Sequence, residues 1–210
     1  MTEPEYQHDD LDRILGYRDA IDAAGGDDPD DPDGPDEVAD ELYLLPFWTP
    51  GFCATVIRAA ELVGGFDPDP ADPVPGHEVS LASISPALFG AVQDDVGARI
   101  WPRLQRVWPL IEYQGLRDAF VIRYVAGEQE SLRLHQDVAQ VSASVRLNDG
   151  YDGAELTFPR QDYDNAHQPV GSLLTWPSLV THPHEAAPLR SGVKYALTIW
   201  CELPGGVDVF

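Results

Sequence analysis

The sequence contains few cysteines, few basic residues and no long apolar run. Cys53 and Cys201 lie far apart and lack the C-x-x-C spacing of a structural zinc site, so their apolar surroundings predict two buried thiols rather than a disulfide. No stretch of about 18 uncharged apolar residues occurs, so we expect no membrane-spanning helix. The opening residues MTEPEYQHDDLD lack the basic patch and apolar run of a signal peptide. These absences predict a cytoplasmic protein.

Basic residues are outnumbered: 13 lysines and arginines stand against 36 aspartates and glutamates, and the formal net charge is -23. Such a chain is repelled by nucleic-acid phosphates and by anionic membrane surfaces, so neither is expected as a partner. A cationic substrate is compatible with this charge, although solubility is the more common reason for it. Much of the acidity lies in GGDDPDDPDGPDE, residues 25 to 37, which has no apolar side chain suited to burial.

The length of 210 residues suffices for one domain with a sizeable core. Residues 9 to 24 place apolar side chains near helical spacing, which predicts a short amphipathic helix, and the Asp/Pro/Gly-rich run after it predicts a linker or loop. We therefore divide the chain into an acidic N-terminal segment, residues 1 to 40, and a globular domain, residues 41 to 210.

Helix signals precede strand signals in the globular domain. Thr49-Pro50 and Ser85-Pro86 each combine an N-cap with a proline at the first helical position, so helices are predicted over about residues 50 to 110, with Pro102 interrupting or restarting the last one. From about residue 113 to 203, short runs rich in Val, Ile, Thr and aromatics alternate with turn residues. This order predicts an α+β fold whose β core is an antiparallel barrel or double-sheet jelly roll.

Two short motifs offer metal ligands. In SLRLHQD, His135 and Asp137 would project to the same side of a strand, where an imidazole and a carboxylate can chelate a metal, but H-x-D alone is a weak signal. The run THPHE supplies His182 and His184. Two histidines and one carboxylate form the facial triad of non-haem Fe(II) oxygenases, which leaves other positions open. A hydrolytic zinc site uses the same donors, so the metal stays undecided at this point.

Lys194 lies in SGVKYALTIW, inside a predicted apolar strand. A buried lysine is unfavourable unless it is paired, and the far carboxylate of a 2-oxo acid bound to the metal would be a suitable partner. A zinc hydrolase has no evident need for this lysine. The alternative is a lysine at a strand edge whose amine extends to solvent.

These residues occur in the block from Phe120 to Trp200, which contains FVIRYVAGEQESLRLHQD, SVRLNDGYDGAELTFPR and GSLLTWPSLVTHPHEAAPLRSGVKYALTIW. The block resembles the catalytic domain of the procollagen lysyl hydroxylases, in the prolyl and lysyl hydroxylase branch of the 2-oxoglutarate oxygenases. The shared motifs are E-Q-x-S-L-x-x-H-x-D, L-N before Y-x-G, and T-H-x-H-E followed by G-x-[RK]-Y. The similarity of the helical region before it is looser.

The resemblance implies a double-stranded β-helix (jelly-roll) core with supporting N-terminal helices. It implies that His135, Asp137 and His184 hold Fe(II), because His184 rather than His182 stands ten residues before the basic residue. Lys194 is implied to bind the far carboxylate of 2-oxoglutarate, where the lysyl hydroxylases carry arginine, so a bidentate fork becomes a point charge. Tyr124 matches a tyrosine near the cosubstrate; a plain core tyrosine is the alternative.

Two departures from the family pattern stand out. The Y-x-G-G turn becomes Tyr151-Asp152-Gly153-Ala154 here, which we expect to alter only a turn. Arg146 replaces a small residue or a tyrosine of the relatives and would share one strand face with Ser144. If that face lines the barrel, Arg146 and Ser144 bind the cosubstrate or a substrate carboxylate; if it points outward, Arg146 is a surface charge.

The implied reaction hydroxylates an unactivated C–H bond of an amino-acid side chain with molecular oxygen, and it releases succinate and carbon dioxide. A lysine side chain, peptidyl or free, is favoured, and ascorbate is the expected reductant. Proline, or another small amino acid or peptide in natural-product biosynthesis, is the alternative substrate. A jelly-roll binding module without catalysis is the non-enzymatic alternative. A homodimer is compatible with the sequence.

Overall fold

The structure is a computed structural model that describes Tyr17 and residues 34–205. The predicted helix over residues 9 to 24 lies outside the described residues except for Tyr17, and so does the acidic linker up to residue 33. Tyr17 is buried, with its ring in edge contact with Trp48 and Phe52, and its hydroxyl donates to Asp95 Oδ2 at 3.0 Å. Tyr17 therefore belongs to the core of the globular domain.

The helices begin where the proline signals predict. Thr49 Oγ1 accepts from Phe52 N and caps the first helix, and Ser85 Oγ accepts from Leu88 N and caps the third. The helices are α1 (Pro50–Val63), α2 (Leu81–Ile84), α3 (Pro86–Asp95) and α4 (Trp101–Val107). A π-helical turn, Val96–Ile100, joins α3 to α4, and Pro102 stands in the first turn of α4, so the helix restarts there as predicted.

The strands before residue 113 are β1 (Asp36–Ala39), β2 (Leu42–Pro46) and β3 (Glu78–Ser80). The following strands are β4 (Leu116–Val125), β5 (Leu132–His135), β6 (Val141–Arg146), β7 (Asp152–Gly153), β8 (Leu156–Phe158) and β9 (Tyr163–Asp164). The last are β10 (Ser172–Pro177), β11 (His184–Ala186), β12 (Leu189–Ser191) and β13 (Val193–Cys201). Strand β1 comes from the segment that the composition assigned to the acidic N-terminus.

The strands form one large sheet and two smaller ones, all antiparallel. The seven-stranded sheet has the order β1-β2-β10-β6-β13-β4-β3, the four-stranded sheet β5-β11-β8-β9, and the small sheet β12-β7. Side chains of both larger sheets line one cavity, so these sheets form the two layers of a jelly roll. The α+β prediction with an antiparallel core is confirmed, although β1 and β2 precede the helices and β3 lies between α1 and α2.

Strand alternation assigns the two faces of the seven-stranded sheet to different partners. In β4, Ala119 and Val121 belong to the largest apolar cluster, together with the residues that α1, α3 and α4 bury. Phe120, Ile122 and Tyr124 project to the other face, toward the second sheet. The helices therefore cover the outer face of the large sheet, and the inner face remains for the cavity.

Cys53 and Cys201 are both buried and free, as predicted. Burial raises the pKa of each thiol to about 12, so both are protonated and unreactive at neutral pH. In the part of the chain that the structure describes, no helix is both long and apolar enough to cross a membrane.

Candidate functional site

A cavity of about 300 Å³ lies between the two larger sheets. Strands β4 and β13 of the large sheet form one wall, and β5, β8 and β11 of the four-stranded sheet form the opposite one. The residues from 72 to 78, which precede and enter β3, border it on a third side. The predicted site residues that line this cavity are Tyr124, His135, Asp137, Ser144, His184 and Lys194.

His135, Asp137 and His184 converge at one end of the cavity. His135 ends β5, His184 begins β11, and the antiparallel register pairs these two residues directly. His135 Nε2 lies 3.5 Å from Asp137 Oδ1, and His184 Nε2 lies 3.6 Å from Asp137 Oδ2. One ligand atom from each residue lies within 4.8 Å of the others. The three side chains thus form a cluster with the donor set and spacing of a metal site.

The backbone determines which nitrogen each histidine offers. Nδ1 of His135 lies 2.8 Å from the carbonyl oxygen of Arg133, and Nδ1 of His184 lies 3.0 Å from that of His182. A carbonyl oxygen only accepts, so both Nδ1 atoms carry the proton. In the neutral ring, Nε2 then has a free lone pair directed at Asp137, which is the arrangement that a metal-binding histidine needs.

Asp137 is buried, yet its Oδ2 has no hydrogen-bond partner among the described residues. Burial by itself would raise the pKa of Asp137, but His184, His135 and Ser142 outweigh it and lower the pKa. Burial lowers the pKa of His184, whereas at His135 the neighbouring Asp137 outweighs burial and raises it. An ionised carboxylate with an unsatisfied oxygen between two imidazoles is a site for a cation.

Lys194 lies on the opposite wall, paired in register with Tyr124. Its side chain is only 4% exposed, so the alternative of an amine in solvent is excluded. Nζ donates to the carbonyl oxygen of Ala154 at 2.5 Å and lies 5.1 Å from the Tyr124 ring centroid, and no described carboxylate pairs with it. Burial, assisted by Arg146, lowers the pKa of Lys194 to about 8 against the opposing effect of Glu155. A buried ammonium that lacks a counter-ion among the described residues would be stabilised by a bound anion.

Ser144 lines the cavity, but Arg146 does not. The Arg146 guanidinium donates to the carbonyl oxygens of Asn148, Ala166 and Gln168. It also pairs with Asp149 at 3.0 Å and lies over the Tyr151 ring. These contacts hold the guanidinium against neighbouring loops at the end of the sheet, so the expectation that Arg146 reaches the cavity is not met, although its charge acts on Lys194.

His182 is separated from the cluster by its own hydrogen bonds. Its Nδ1 lies 2.9 Å from Thr181 Oγ1, and its Nε2 lies 3.1 Å from the Asp40 carbonyl oxygen. The structure therefore brings His184, and not His182, together with Asp137, which is the choice that the resemblance implied.

Several cavity residues were missed by the sequence analysis. Period-two alternation along β4 and β13 could have indicated the inner-face residues Phe120, Ile122, Ala196, Thr198 and Trp200. No local signal indicated Asp72 or Glu78, because the segment before β3 has the composition of an ordinary Pro/Asp-rich loop. Only the pairing of β3 with β4 brings these acids to the cavity.

No family model matches the chain. Among curated proteins, it is 36% identical over 81 residues to the multifunctional procollagen lysine hydroxylase and glycosyltransferase of Rattus norvegicus, which covers 37% of this chain and 11% of the relative. It is 31% identical over 100 residues to procollagen-lysine,2-oxoglutarate 5-dioxygenase 1 of Mus musculus, which covers 46% of this chain and 14% of the relative. The chain thus matches only a small part of these longer proteins, and the predicted resemblance is confirmed for that part.

Solved structures share the fold over most of the chain. A Pseudomonas putida prolyl-4-hydroxylase aligns with a TM-score of 0.57 and 18% identity, covering 79% of this chain and 94% of its own. The viral collagen prolyl hydroxylase of Paramecium Bursaria Chlorella virus-1 aligns with a TM-score of 0.54 and 15% identity, covering 79% and 98%. At these identities the similarity demonstrates the fold, and the jelly roll predicted for the chain is confirmed.

Proposed function

We propose that this protein is an Fe(II)- and 2-oxoglutarate-dependent dioxygenase that hydroxylates an unactivated C–H bond of an amino-acid side chain and releases succinate and carbon dioxide. One observation carries the proposal. A cluster of two histidines and one carboxylate shares a cavity with a buried lysine that has no counter-ion among the described residues. Similarity to a procollagen lysine hydroxylase over 81 residues supports the same reaction.

The residues present fit a metal ion. His135 and His184 direct Nε2 toward Asp137, whose Oδ2 is buried and unpartnered in the described chain. Three protein donors leave open positions for the 2-oxo acid and for oxygen, and the bound iron would supply the oxidative chemistry. A zinc hydrolase would use the same three donors but would leave Lys194 without a role, so Lys194 favours the oxygenase.

Lys194 would hold the far carboxylate of 2-oxoglutarate as a point charge. Tyr124, whose ring lies beside Nζ, and Ser144, on the neighbouring strand β6, would contribute hydroxyl groups at the same end of the cavity. Arg146 is left out of this assignment because its guanidinium bonds to backbone carbonyls elsewhere. The residues that would bind the cosubstrate thus come from the seven-stranded sheet. Those that would bind the metal lie on or directly after strands of the four-stranded sheet.

Apolar side chains enclose the space between the two groups. Phe120, Ile122, Trp176 and Trp200 line the cavity. A dry enclosure strengthens the attraction between Lys194 and a carboxylate and protects a reactive oxidant from water. The retained ligands, lysine and enclosure together disfavour a binding module without catalysis.

The substrate class has two candidates, each favoured by one observation. Local sequence similarity to procollagen lysine hydroxylases favours a lysine side chain, free or in a peptide. The shared fold of two prolyl hydroxylases favours proline or another small amino acid. Sequence similarity at 31–36% identity is more specific than a shared fold at 15–18% identity, so we propose the lysine type.

Succinate formation tests the reaction. Purified protein would be supplied with Fe(II), 2-oxoglutarate, ascorbate and oxygen and tested against lysine, lysyl peptides, proline and prolyl peptides, with mass spectrometry to detect the gain of one oxygen atom. Succinate coupled to an oxidised lysine compound is the expected result. Succinate coupled to an oxidised proline compound would retain the oxygenase and reject the lysine type. Absence of succinate and of 2-oxoglutarate binding, with His135→Ala behaving as the parent does, would reject the oxygenase.

A further inference from the structure

The side of the cavity bordered by β3 carries negative charge. Glu78 pairs in register with Ile122 at the edge of the large sheet, so its side chain shares the inner face with Phe120 and Tyr124. Asp72 lines the cavity next to it. Glu78 thus places a carboxylate in a cavity whose other walls are largely apolar.

No cation balances Glu78 in the described structure. Its carboxylate makes no ion pair or hydrogen bond with a described residue, and Oε2 lies 2.8 Å from the position that a Cβ on Gly76 would occupy. Burial, together with the charges of Asp118, Asp72 and Asp69, raises the pKa of Glu78 to about 7. A carboxyl group in this environment would be stabilised in its charged form by a cationic ligand.

A second polar group points into the same space. Tyr124 is 4% exposed, it lines the cavity, and its hydroxyl makes no hydrogen bond to any residue that the structure describes. Glu78 is the charged neighbour that raises the pKa of this hydroxyl beyond the effect of burial. Because Glu78 and Tyr124 line the same cavity and share the inner face of the large sheet, one ligand can contact both.

The basic residues of the cavity are engaged elsewhere. Arg117 donates to the carbonyl oxygen of Val138, next to the metal cluster, and Lys194 donates to that of Ala154. Neither contributes to the environment that raises the pKa of Glu78. The charged groups that shift the pKa of Glu78 are all aspartates. A ligand that neutralises Glu78 must therefore carry the positive charge itself.

We propose that Glu78 recognises the substrate by binding its ammonium group, and that the cavity therefore selects an amino-acid side chain that ends in a primary amine. This inference rests on the proposed function for the position of the reacting carbon, but the binding itself does not require turnover. The apolar walls formed by Phe120, Ile122 and Trp200 would contact the methylene groups of such a side chain. An uncharged prolyl ring would leave the half-buried Glu78 without a partner, which costs free energy.

The test compares two probes that differ only in the side-chain ammonium: Nα-acetyl-lysine amide and Nα-acetyl-norleucine amide. Binding would be measured by ligand-detected NMR titration of the anaerobic protein loaded with Fe(II) and 2-oxoglutarate, and again without them. We expect the parent protein to prefer the lysine probe by about 30-fold or more, as for a desolvated charge pair. We expect Glu78→Gln, which preserves shape, to abolish that preference. Glu112→Gln, at an exposed glutamate outside the cavity, is the matched control.

The outcomes separate this inference from the proposed function. If Glu78→Gln retains the preference for the lysine probe, or if the parent protein binds both probes equally, the role of Glu78 is overturned. Succinate formed without substrate reports on the oxygenase alone, and we expect it to be unchanged in the control Glu112→Gln. If no succinate forms but the lysine probe still requires Glu78, the recognition role stands and the oxygenase fails. Thermal melting of each variant verifies that it folds.

Discussion

The two sheets that enclose the cavity prepare their binding groups in different ways. The four-stranded sheet holds the metal cluster, and the seven-stranded sheet holds Lys194, Tyr124 and Glu78. In the first, hydrogen bonds orient the ligand atoms before any ligand arrives. In the second, Lys194 is buried and Glu78 half-buried, and neither has a counter-ion among the described residues. The first sheet therefore supplies geometry, and the second supplies unbalanced charge.

Backbone contacts position the metal half of the cavity, which comprises His135, Asp137 and His184. The register of β5 and β11 places His135 opposite His184, and two carbonyl oxygens, each two residues earlier in the chain, set both tautomers. Pre-oriented donors lose little conformational entropy when a metal binds. We expect metal affinity here to depend on a few short-range contacts.

The charged half of the cavity, which comprises Lys194 and Glu78, is the half that its ligands stabilise most. Burial is the main cause that lowers the pKa of Lys194 and raises the pKa of Glu78. Each charged form is therefore disfavoured until a ligand of opposite charge binds. A dianionic cosubstrate would neutralise Lys194, and a cationic substrate would neutralise Glu78. Ligand binding in this half should therefore be more sensitive to pH and charge than to shape.

The largest expected effect comes from the metal half. His184→Ala removes a donor from the cluster, so we expect metal affinity to fall by more than about 100-fold, because even contacts behind a ligand are worth about 10- to 100-fold. Calorimetric titration with Fe(II) or Mn(II) measures it. His182→Ala is the matched control: it removes a histidine that bonds to Thr181 and Asp40, so metal binding should persist. Equal losses in both variants would contradict the assignment.

Lys194→Ala tests the charged half. We expect the affinity for 2-oxoglutarate to fall by about 30-fold or more, since a desolvated charge pair is lost, while metal affinity stays within a few-fold. Calorimetry with metal-loaded protein separates the two quantities. Lys194→Arg keeps the charge and should retain most of the binding. A Lys194→Ala protein with unchanged 2-oxoglutarate affinity would remove the lysine from the site.

Ser142→Ala examines whether the metal half extends beyond its three ligands. Ser142 is fully buried, its Oγ lies 2.6 Å from that of Ser178, and it lowers the pKa of Asp137. We expect metal affinity to fall by about tenfold, the lower end for a residue that supports a ligand. Ser144→Ala, on the same face of β6, should leave metal affinity unchanged. A reversed order would show that Asp137 does not depend on Ser142.

The smallest expected effect is a pH dependence of the charged half. The pKa of Lys194 is lowered to about 8, so 2-oxoglutarate binding should be strongest well below that pH and weaken as the pH rises through it. Between pH 7 and pH 8.5 the cationic fraction falls by about fourfold, and we expect the same factor in affinity at saturating metal. Lys194→Arg should abolish the dependence, because arginine stays charged throughout. A flat profile in the parent protein would contradict it.

Local rules predicted more of the outer framework than of the cavity. The proline signals at Thr49 and Ser85 located two helix starts because capping involves neighbours in the chain. Strand runs located the β core for the same reason. The composition assigned Asp36–Ala39 to the acidic segment, yet it forms β1, because its pairing with β2 is a tertiary choice that acidity does not reveal.

The same distinction between local signals and tertiary pairing applies to the cavity residues. H-x-D spacing brought His135 and Asp137 together on local grounds, whereas Arg146 shares the inner face of β6 with Ser144 but bonds to loops around residues 148 and 166. Strand alternation gives a face, and it does not say which part of the face the cavity reaches. Glu78 had no local signal, since it reaches the site only through the pairing of β3 with β4.

The sequence by itself determined the donor types, their order along the chain and the α+β class, because these depend on residue chemistry and short-range spacing. The tertiary structure decided that His182 lies outside the cluster, that Lys194 is buried with no counter-ion among the described residues, and that Glu78 faces the cavity. The physical reason is that burial and the pairing of distant strands set the charge environment of a side chain, and neither is encoded within a few residues of it.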